Sequence, residues 1–295
     1  MEMINIDDNI YAYINEPGTW FRGNSGFIKG NKMNIVIDSL ATEDMTKNYI
    51  NEISRISNVP VRIIVNTHAH GDHAWTNYMF ENAINIAQSN YLESINDPTE
   101  KLYSKYFPDF DFSRSRYSVP DITVSHGISL YIDEKEIKVM HLPNAHTSGD
   151  LIAYIPDNKI VFTGDILFSK PCTPFAMTGS IRGSIMALEF LKSLRARVYV
   201  PGHGPVSYGT EKIDAALKYF KFVQSEASKI LNSSDDVIAA ARSIDLGEYK
   251  SWLNPERIIG NISRACMELN NNETMINEDK IISAMMDYKE LLERS

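Results

Sequence analysis

Cysteine and excess positive charge are both scarce in this chain. Its 295 residues include two cysteines, Cys172 and Cys266, which lie too far apart in sequence to form a local metal-binding pair. A disulfide between them is left open by the sequence. Lys and Arg number 29 against 38 Asp and Glu, for a net charge of −9, and no basic patch stands out. The long-range field therefore repels polyanions, and we expect no nucleic-acid partner.

Targeting and membrane signals are also missing. The first eight residues, Met1 to Asp8, are acidic and are not followed by a long apolar run, so they do not resemble a secretion signal. No apolar run is long enough to span a bilayer. With so few cysteines, these features predict a cytoplasmic protein with no membrane partner. The chain also lacks a Gly-x-Ser-x-Gly segment, which argues against a serine nucleophile.

The hydrophobic residues that are present, 43% of the chain, indicate a sizeable core. From Ile10 to about Val206, short β-type runs alternate with turns and a few helical stretches, which predicts a mixed α/β fold. After Tyr208 the spacing of apolar residues becomes almost wholly helical. We therefore predict a catalytic domain over residues 1–209 and a helical extension over residues 210–295.

The patterns predict individual elements as well. The predicted strands are 26–29, 34–38, 61–65, 137–140, 151–155, 160–162 and 197–200. The predicted helices are 42–56, with Thr42 as its cap, and 184–194. In the extension, Ser234-Asp235 and Asn254-Pro255-Glu256 are predicted helix starts, and Asn270-Asn271-Asn272 is a predicted break.

Three histidines and an aspartate crowd into the segment directly after the strand predicted at 61–65. The segment reads Thr67-His68-Ala69-His70-Gly71-Asp72-His73. In an extended segment His68 and His70 project to the same side, and we expect Gly71 to let the backbone turn so that Asp72 and His73 face a neighbouring point. This geometry suits two adjacent metal ions.

Further metal-ligand candidates each follow a β run. They are His146 in Asn144-Ala145-His146-Thr147, Asp165 in Thr163-Gly164-Asp165, and His203 in Pro201-Gly202-His203-Gly204. Strand ends are where α/β sheets place their sites. Asp38, Thr67, Thr147 and Thr163 flank the ligands and are candidates for orienting them. His126, in a turn, and His141, in a strand, are interpreted as structural.

These motifs resemble the metallo-β-lactamase superfamily, whose His-x-His-x-Asp-His signature and downstream His, Asp and Gly-His motifs occur here in the same order. The resemblance covers roughly residues 10 to 206. It implies an αββα sandwich of two mixed β-sheets flanked by helices. It also implies that His68, His70 and His146 hold one metal, that Asp72, His73 and His203 hold a second, and that Asp165 bridges the two.

The chemistry that the resemblance implies is hydrolysis. Two adjacent divalent cations lower the pKa of a bridging water from about 15.7 toward 7 and supply hydroxide at neutral pH. Asp72 is then expected to position the attacking group. Imidazole and carboxylate ligands suit zinc, which is the default expectation, while iron and manganese stay open.

Several features separate this chain from individual branches of the superfamily. Class B β-lactamases lack a bridging aspartate, flavodiiron proteins replace the second histidine by glutamate, and acyl-homoserine lactonases carry a tyrosine shortly after the aspartate. Nuclease branches usually add an RNA-binding arm or a large insertion, neither of which is evident here. Glyoxalase II shares all seven ligands, but its glutathione-binding basic residues and its Cys-x-Gly-Arg segment have no clear counterpart here. The chain most resembles the broader glyoxalase II-like metal-dependent hydrolases, which have a Pro-Gly-His-Gly-Pro segment, here Pro201-Gly202-His203-Gly204-Pro205, and a Gly-Ser helix entry, here Gly183-Ser184. The substrates of these hydrolases vary.

The expected substrate is a small molecule with an ester-like bond and an apolar part, such as a thioester, a lactone or a related acyl compound. The substrate-binding candidates are Trp20, Ser25, Phe168 and Phe175, and Phe21, Trp75 and Met177 could extend the same apolar wall. Two alternatives stay open, an iron-dependent persulfide dioxygenase and a non-catalytic metal-binding protein. The terminal helices could form a pocket wall or a homodimer contact.

Overall fold

The structure, a computed structural model, describes residues 1–95, 99–142, 144–233, 236–271 and 277–294. Its strands are β1 (Glu2–Asp7), β2 (Ile10–Ile14), β3 (Ser25–Ile28), β4 (Asn34–Ile37), β5 (Val61–Val65), β6 (Ile84–Gln88), β7 (Ile122–Val124), β8 (Gly127–Ile132), β9 (Lys135–His141), β10 (Leu151–Ile155), β11 (Ile160–Phe168), β12 (Val198–His203) and β13 (Ser207–Tyr208).

Helices occupy the connections and the carboxyl-terminal third. They are α1 (Glu43–Ile56), α2 (Gly71–Ala74), α3 (Tyr91–Ser94), α4 (Thr99–Tyr106), α5 (Ile181–Ser193), α6 (Glu211–Leu231), α7 (Val237–Arg242), α8 (Arg257–Leu269) and α9 (Glu278–Arg294). Two short 3₁₀ helices cover Asn77–Met79 and Gly247–Ser251.

The strands form two mixed sheets. The first runs β1-β2-β3-β4-β5-β6-β7, antiparallel up to β4 and parallel from β4 to β7. The second runs β13-β12-β11-β10-β9-β8, in which the β11–β12 pair is parallel and the other pairs are antiparallel. The prediction of two mixed sheets flanked by helices is confirmed.

The sheets pack face to face because their strands are apolar on both sides. In β10, Leu151, Ala153 and Ile155 belong to the cluster between the sheets, whereas Ile152 belongs to the cluster under the outer helices. In β4, Ile35 and Ile37 face inward and Val36 faces α1. A strand with a period of two can bury both faces only if helices cover the outer one. Each sheet therefore carries an outer helical layer.

The outer layers differ in size. On the first sheet, α1 contributes Met45, Tyr49 and Ile53 to a cluster with aromatic residues. On the second sheet, α5, α6, α8 and α9 share one continuous hydrophobic cluster with β10, β11 and β12. The helices after residue 209 are thus packed on the sheet that carries Asp165 and His203. The domain boundary at 209/210 stays a prediction.

All of the predicted strands exist, with shifted ends in several. The strand predicted at 160–162 continues to Phe168, because the register shifts around Gly164, which has φ +51°, and pairing then resumes. Helix α1 begins as predicted, with the Thr42 hydroxyl accepting a bond from Met45 N. Helix α5 begins three residues before the predicted start, with Ser180 as its cap.

Other predicted boundaries were wrong or lie outside the described residues. The helix start predicted at Asn254 is wrong: α8 begins at Arg257, and Asn254 itself has a left-handed φ of 58°. Ser234-Asp235 and Asn272 lie outside the described residues, and α7 begins at Val237 with Asp236 as its cap. Among the helices described, none is both long and apolar enough to cross a bilayer.

Candidate metal centre

The seven predicted ligands converge on one edge of the sandwich. His68 follows β5, His70 is the residue before α2, and Asp72 and His73 lie within α2. His146 lies in the loop between β9 and β10, and His203 is the last residue of β12. The expectation that Asp165 follows a strand was wrong, because β11 extends past it and the carboxylate projects from within the strand.

The ligands form two groups whose candidate donor atoms lie within 4.8 Å of one another. The first group is His68, His70, His146 and Asp165, and the second is Asp72, His73 and His203. Apart from Asp165, which the resemblance implied as a bridge and which falls in the first group here, these are the two sets that the resemblance implied. In the first group His146 Nε2 lies 2.7 Å from His70 Nδ1, and in the second His203 Nε2 lies 3.1 Å from Asp72 Oδ2.

Asp165 lies between the two groups. Its Oδ2 is 3.2 Å from His146 Nε2 and 3.8 Å from His68 Nε2 in the first group. Its Oδ1 is 3.2 Å from His73 Nε2, and its Oδ2 is 3.4 Å from His203 Nε2 in the second. One carboxylate thus contacts ligands of both groups, which is the position that a bridging ligand requires.

Several of these atoms are buried without a hydrogen-bond partner. Within the described part of the chain, His68 Nε2, His73 Nε2 and Asp165 Oδ1 make no hydrogen bond, although His73 Nε2 and Asp165 Oδ1 lie 3.2 Å apart. Buried polar atoms are nearly always satisfied, because leaving one unpaired costs about 1–3 kcal/mol. Three such atoms from both groups, all of them metal-ligating types, face one point. The donor set therefore fits divalent metal ions.

The orientation of His73 in the second group is set by Asp38, which follows β4. Its Oδ2 lies 2.9 Å from His73 Nδ1, and the same carboxylate accepts bonds from Thr67 N and Thr67 Oγ1, both at 2.7 Å. Thr67 Oγ1 also lies 3.1 Å from His68 Nδ1. Asp38 and Thr67 thus link a ligand of each group and leave Nε2 of both rings directed at the site.

Backbone carbonyls hold two other rings. His146 Nδ1 lies 2.5 Å from Phe175 O, and His203 Nδ1 lies 3.1 Å from Gly18 O. The loop that carries His146 is closed by Asp150, whose carboxylate accepts bonds from the backbone of His146 and Thr147. Thr147 therefore acts through Asp150, while Thr163 bonds only to backbone carbonyls.

The two groups differ in charge. Burial lowers the pKa of His146 to about 3 and also lowers the pKa of His68 and His70, so the first group offers neutral imidazoles. Burial alone would lower the pKa of His73 too, but the carboxylates of Asp165 and Asp72 raise it well above the ordinary value. The carboxylates of the second group therefore favour the protonated form of His73, whose proton a bound cation would replace.

Two glycines make room for this geometry. The backbone changes direction at Gly71, where α2 begins, and a Cβ on Gly71 would lie 2.3 Å from the ring of Trp75, so the glycine is needed for packing. In the Pro-Gly-His segment, a Cβ on Gly202 would lie 1.9 Å from Asp165 Oδ1. Gly202 thus lets β12 approach the aspartate closely.

A mutation at Asp38 tests this network. We expect Asp38→Asn to weaken metal binding by about 10- to 100-fold, because an amide NH₂ would face the His73 Nδ1–H or force the other tautomer. Titration of metal-free protein with zinc, followed by calorimetry, measures the change. Asn tolerates the left-handed φ of 62° at this position, so the backbone is retained. Unchanged zinc affinity would show that Asp38 does not orient His73.

A cavity of about 280 Å³ opens onto the ligands. His70, Asp72, His146, Asp165 and His203 line it, together with Trp20, Phe168 and Phe175, three of the four predicted substrate-binding residues. The fourth, Ser25, lies in β3 with its hydroxyl bonded to Ser39 O and does not line this cavity. Trp75 is also buried beneath the wall, stacked on Phe21.

Sequence reasoning missed some cavity residues. Tyr103 of α4, Tyr117 and Arg257 of α8 line the same space. Nothing in their local sequence marks them, because Tyr103 and Arg257 approach the ligands only through the packing of α4 and α8, and Tyr117 through the path of the chain between α4 and β7. The proline and acid before Arg257 indicated a helix start and gave no sign of which way the first helical side chain points.

The sequence model described as the metallo-beta-lactamase superfamily matches residues 18–203. A beta-lactamase-like protein 2 homolog of Caenorhabditis elegans is 23% identical over 226 residues, 75% of this chain and 70% of that protein. A hydroxyacylglutathione hydrolase of Brucella anthropi is 31% identical over 125 residues, 42% of this chain and 45% of that protein.

A solved structure agrees at the level of the fold. A metallo-beta-lactamase family protein from Thermus thermophilus superposes with a TM-score of 0.69 at 16% identity, over 91% of this chain and 95% of that one. The match thus includes part of the carboxyl-terminal helices as well as the sandwich. Because the family model matches more than half of the chain, this chain belongs to the metallo-beta-lactamase superfamily.

Proposed function

We propose that this protein is a metal-dependent hydrolase that cleaves an ester-like bond, a thioester, a lactone or a related acyl bond, at a site for two metal ions. The observation that carries the proposal is Asp165, whose two carboxylate oxygens contact imidazoles of both ligand groups. His68, His70 and His146 would hold one ion and Asp72, His73 and His203 the other, with Asp165 shared. Zinc is the proposed metal.

When bound, two such cations lower the pKa of water from about 15.7 toward 7 and polarise a carbonyl. The protein's own groups would then position the reactants. Asp72 lines the cavity and is held by His203 through one oxygen, which leaves the carboxylate able to accept a proton or a hydrogen bond from the nucleophile. Phe168, stacked on His203 with ring centroids 4.9 Å apart, keeps water from the back of that ligand.

The substrate class follows from the cavity wall. Trp20, Phe168, Phe175 and Met177 make one side apolar, which suits the hydrocarbon part of an acyl compound. The Brucella relative is named for hydrolysis of a glutathione thioester, which supports acyl bonds as the class. Since Cys172 and Cys266 are both free, we also propose a reducing, cytoplasmic location. A small molecule is the proposed partner.

The experiment is metal analysis followed by a substrate panel. Protein purified without chelator or histidine tag is expected to carry near two zinc ions per chain and to hydrolyse members of a panel of thioesters and lactones. One iron per chain together with oxygen uptake on a persulfide would favour a dioxygenase instead. Metal-loaded protein that turns over none of these compounds would contradict the hydrolase proposal.

A further inference from the structure

The cavity holds a buried cation that the metal-ligand set does not use. Arg257, the first residue of α8, is 2% exposed and lines the cavity with the ligands. Arginine stays charged in proteins and is buried almost only with a partner. No carboxylate lies within 4.0 Å of its guanidinium anywhere in the described ranges. The buried Glu256 carboxylate offsets this charge only at a distance, so the cation lacks the direct ion pair that burial normally demands.

Hydrogen bonds satisfy the guanidinium only in part. Its Nη1 donates to Thr173 O at 2.9 Å, whereas Nε is buried and has no partner among the described residues. The neighbouring carboxylate, Glu256, accepts bonds from Trp20 Nε1 at 2.7 Å and from Asn254 Nδ2 instead. The guanidinium of Arg257 has five N–H donors in one plane, and some of them are thus left without an acceptor beside the cavity.

Aromatic rings fix the guanidinium in place. Its central carbon lies 4.5 Å from the ring centroid of Trp20, 5.0 Å from that of Phe168 and 5.6 Å from that of Phe175. All three rings line the cavity, and Phe168 stacks on the ligand His203. The cation is therefore held next to the ligands by rigid groups, which is how an oriented binding residue is built.

We propose that Arg257 binds an oxyanion group of the substrate, so that the enzyme selects acyl compounds with an apolar body and a negatively charged group. This inference rests on the proposed function, because it names the substrate class of the same site. Once two divalent cations neutralise Asp72 and Asp165, the buried carboxylate that still offsets Arg257 is Glu256, which bonds to Trp20 and Asn254 rather than to the guanidinium. Glu93 and Glu278 also line the cavity but reach solvent, where screening weakens their effect.

The test compares matched thioesters. S-phenyl monothioesters of glutaric, adipic and suberic acid are compared with the same compounds bearing a carboxamide or a sulfonate in place of the free carboxylate. We expect the metal-loaded enzyme to favour the carboxylate over the carboxamide by about 10- to 100-fold in kcat/KM at the best chain length, the range for hydrogen bonds to charged groups. The sulfonate series shows whether Arg257 selects carboxylate or accepts any oxyanion.

Variants show whether the preference for a charged substrate depends on Arg257. Arg257→Met keeps an apolar stem against the rings and is expected to remove the preference, and Arg257→Lys to retain part of it. Arg264→Met is the matched control: Arg264 lies two turns along α8 and donates to Met177 O, but it does not line the cavity. It loses a comparable bond to the same loop and should keep the wild-type preference.

A binding measurement separates this proposal from the hydrolase proposal. Calorimetry compares adipate with its monoamide on wild-type protein and on Arg257→Met. Tighter binding of adipate that depends on Arg257, without turnover of any thioester, would support the anion site and contradict the hydrolase. Hydrolysis with no preference for charge, or with a preference that survives in Arg257→Met, would overturn the role of Arg257 and leave the hydrolase intact.

Discussion

Asp165→Ala is expected to lower turnover by at least about 1000-fold, since loss of a shared ligand must exceed the 10- to 100-fold cost of losing an orienting partner. The carboxylate contacts His146 and His68 on one side and His73 and His203 on the other. The variant should therefore bind less than one metal per chain. Metal analysis and initial rates on one preparation measure both effects.

His70→Ala gives the comparison that makes the result specific. His70 belongs to the first group alone, so this variant should also lose turnover but keep about one metal per chain. His126→Ala, at an exposed position in a bend, should behave as wild type. Wild-type rates in Asp165→Ala would contradict the assignment of the site, and equal metal loss in both ligand variants would contradict the bridging position.

The ligand set could be predicted from sequence because the ligands occupy short motifs next to strands. A strand such as Val61–Val65 is recognisable from its apolar run, and three of the histidines follow within eight residues of its end. Helix α1 was recognisable from its cap and its acidic first turn. Elements that are marked by a local pattern with a direct physical cause were therefore predicted correctly.

Other strands are marked less clearly in the sequence. Strand β6 contains the buried polar residues Asn85 and Gln88, which break its apolar run, and β11 continues past Gly164 only through a bulge. Neither effect can be seen without knowing the neighbouring strands. Ser25 lies near Trp20 in sequence, but a strand begins at Ser25 and carries it into the sandwich.

Arg257 shows most clearly what local sequence patterns fail to predict. It lies 54 residues after the last ligand, His203, and meets the cavity because α8 packs on α5 and α6. The contacts that anchor α8 come from Asn261, which donates to Pro174 O and accepts from Ala176 N in the loop that carries Phe175. Helix docking of this kind depends on the whole core, so no local pattern predicted it.

Removing the metal is expected to abolish activity and to lower the melting temperature. Ions bound at about 1000 times their dissociation constant stabilise the folded chain by about 4 kcal/mol, which corresponds to roughly 10 °C for a chain of this size. The structural reason is the set of buried atoms, His68 Nε2, His73 Nε2 and Asp165 Oδ1, that have no hydrogen-bond partner in the described chain. Differential scanning calorimetry before and after chelation measures the shift.

Restoration completes the test. Adding zinc, iron or manganese to the chelated protein should restore the melting temperature for any ion that fits, whereas activity should return only with the metal that the chemistry uses. Asp165→Ala provides the control, because without the shared ligand its melting temperature should respond little to zinc. If chelated protein kept both its activity and its melting temperature, the unpaired imidazoles and carboxylate would have to be satisfied in another way, and a metal-dependent mechanism would be wrong.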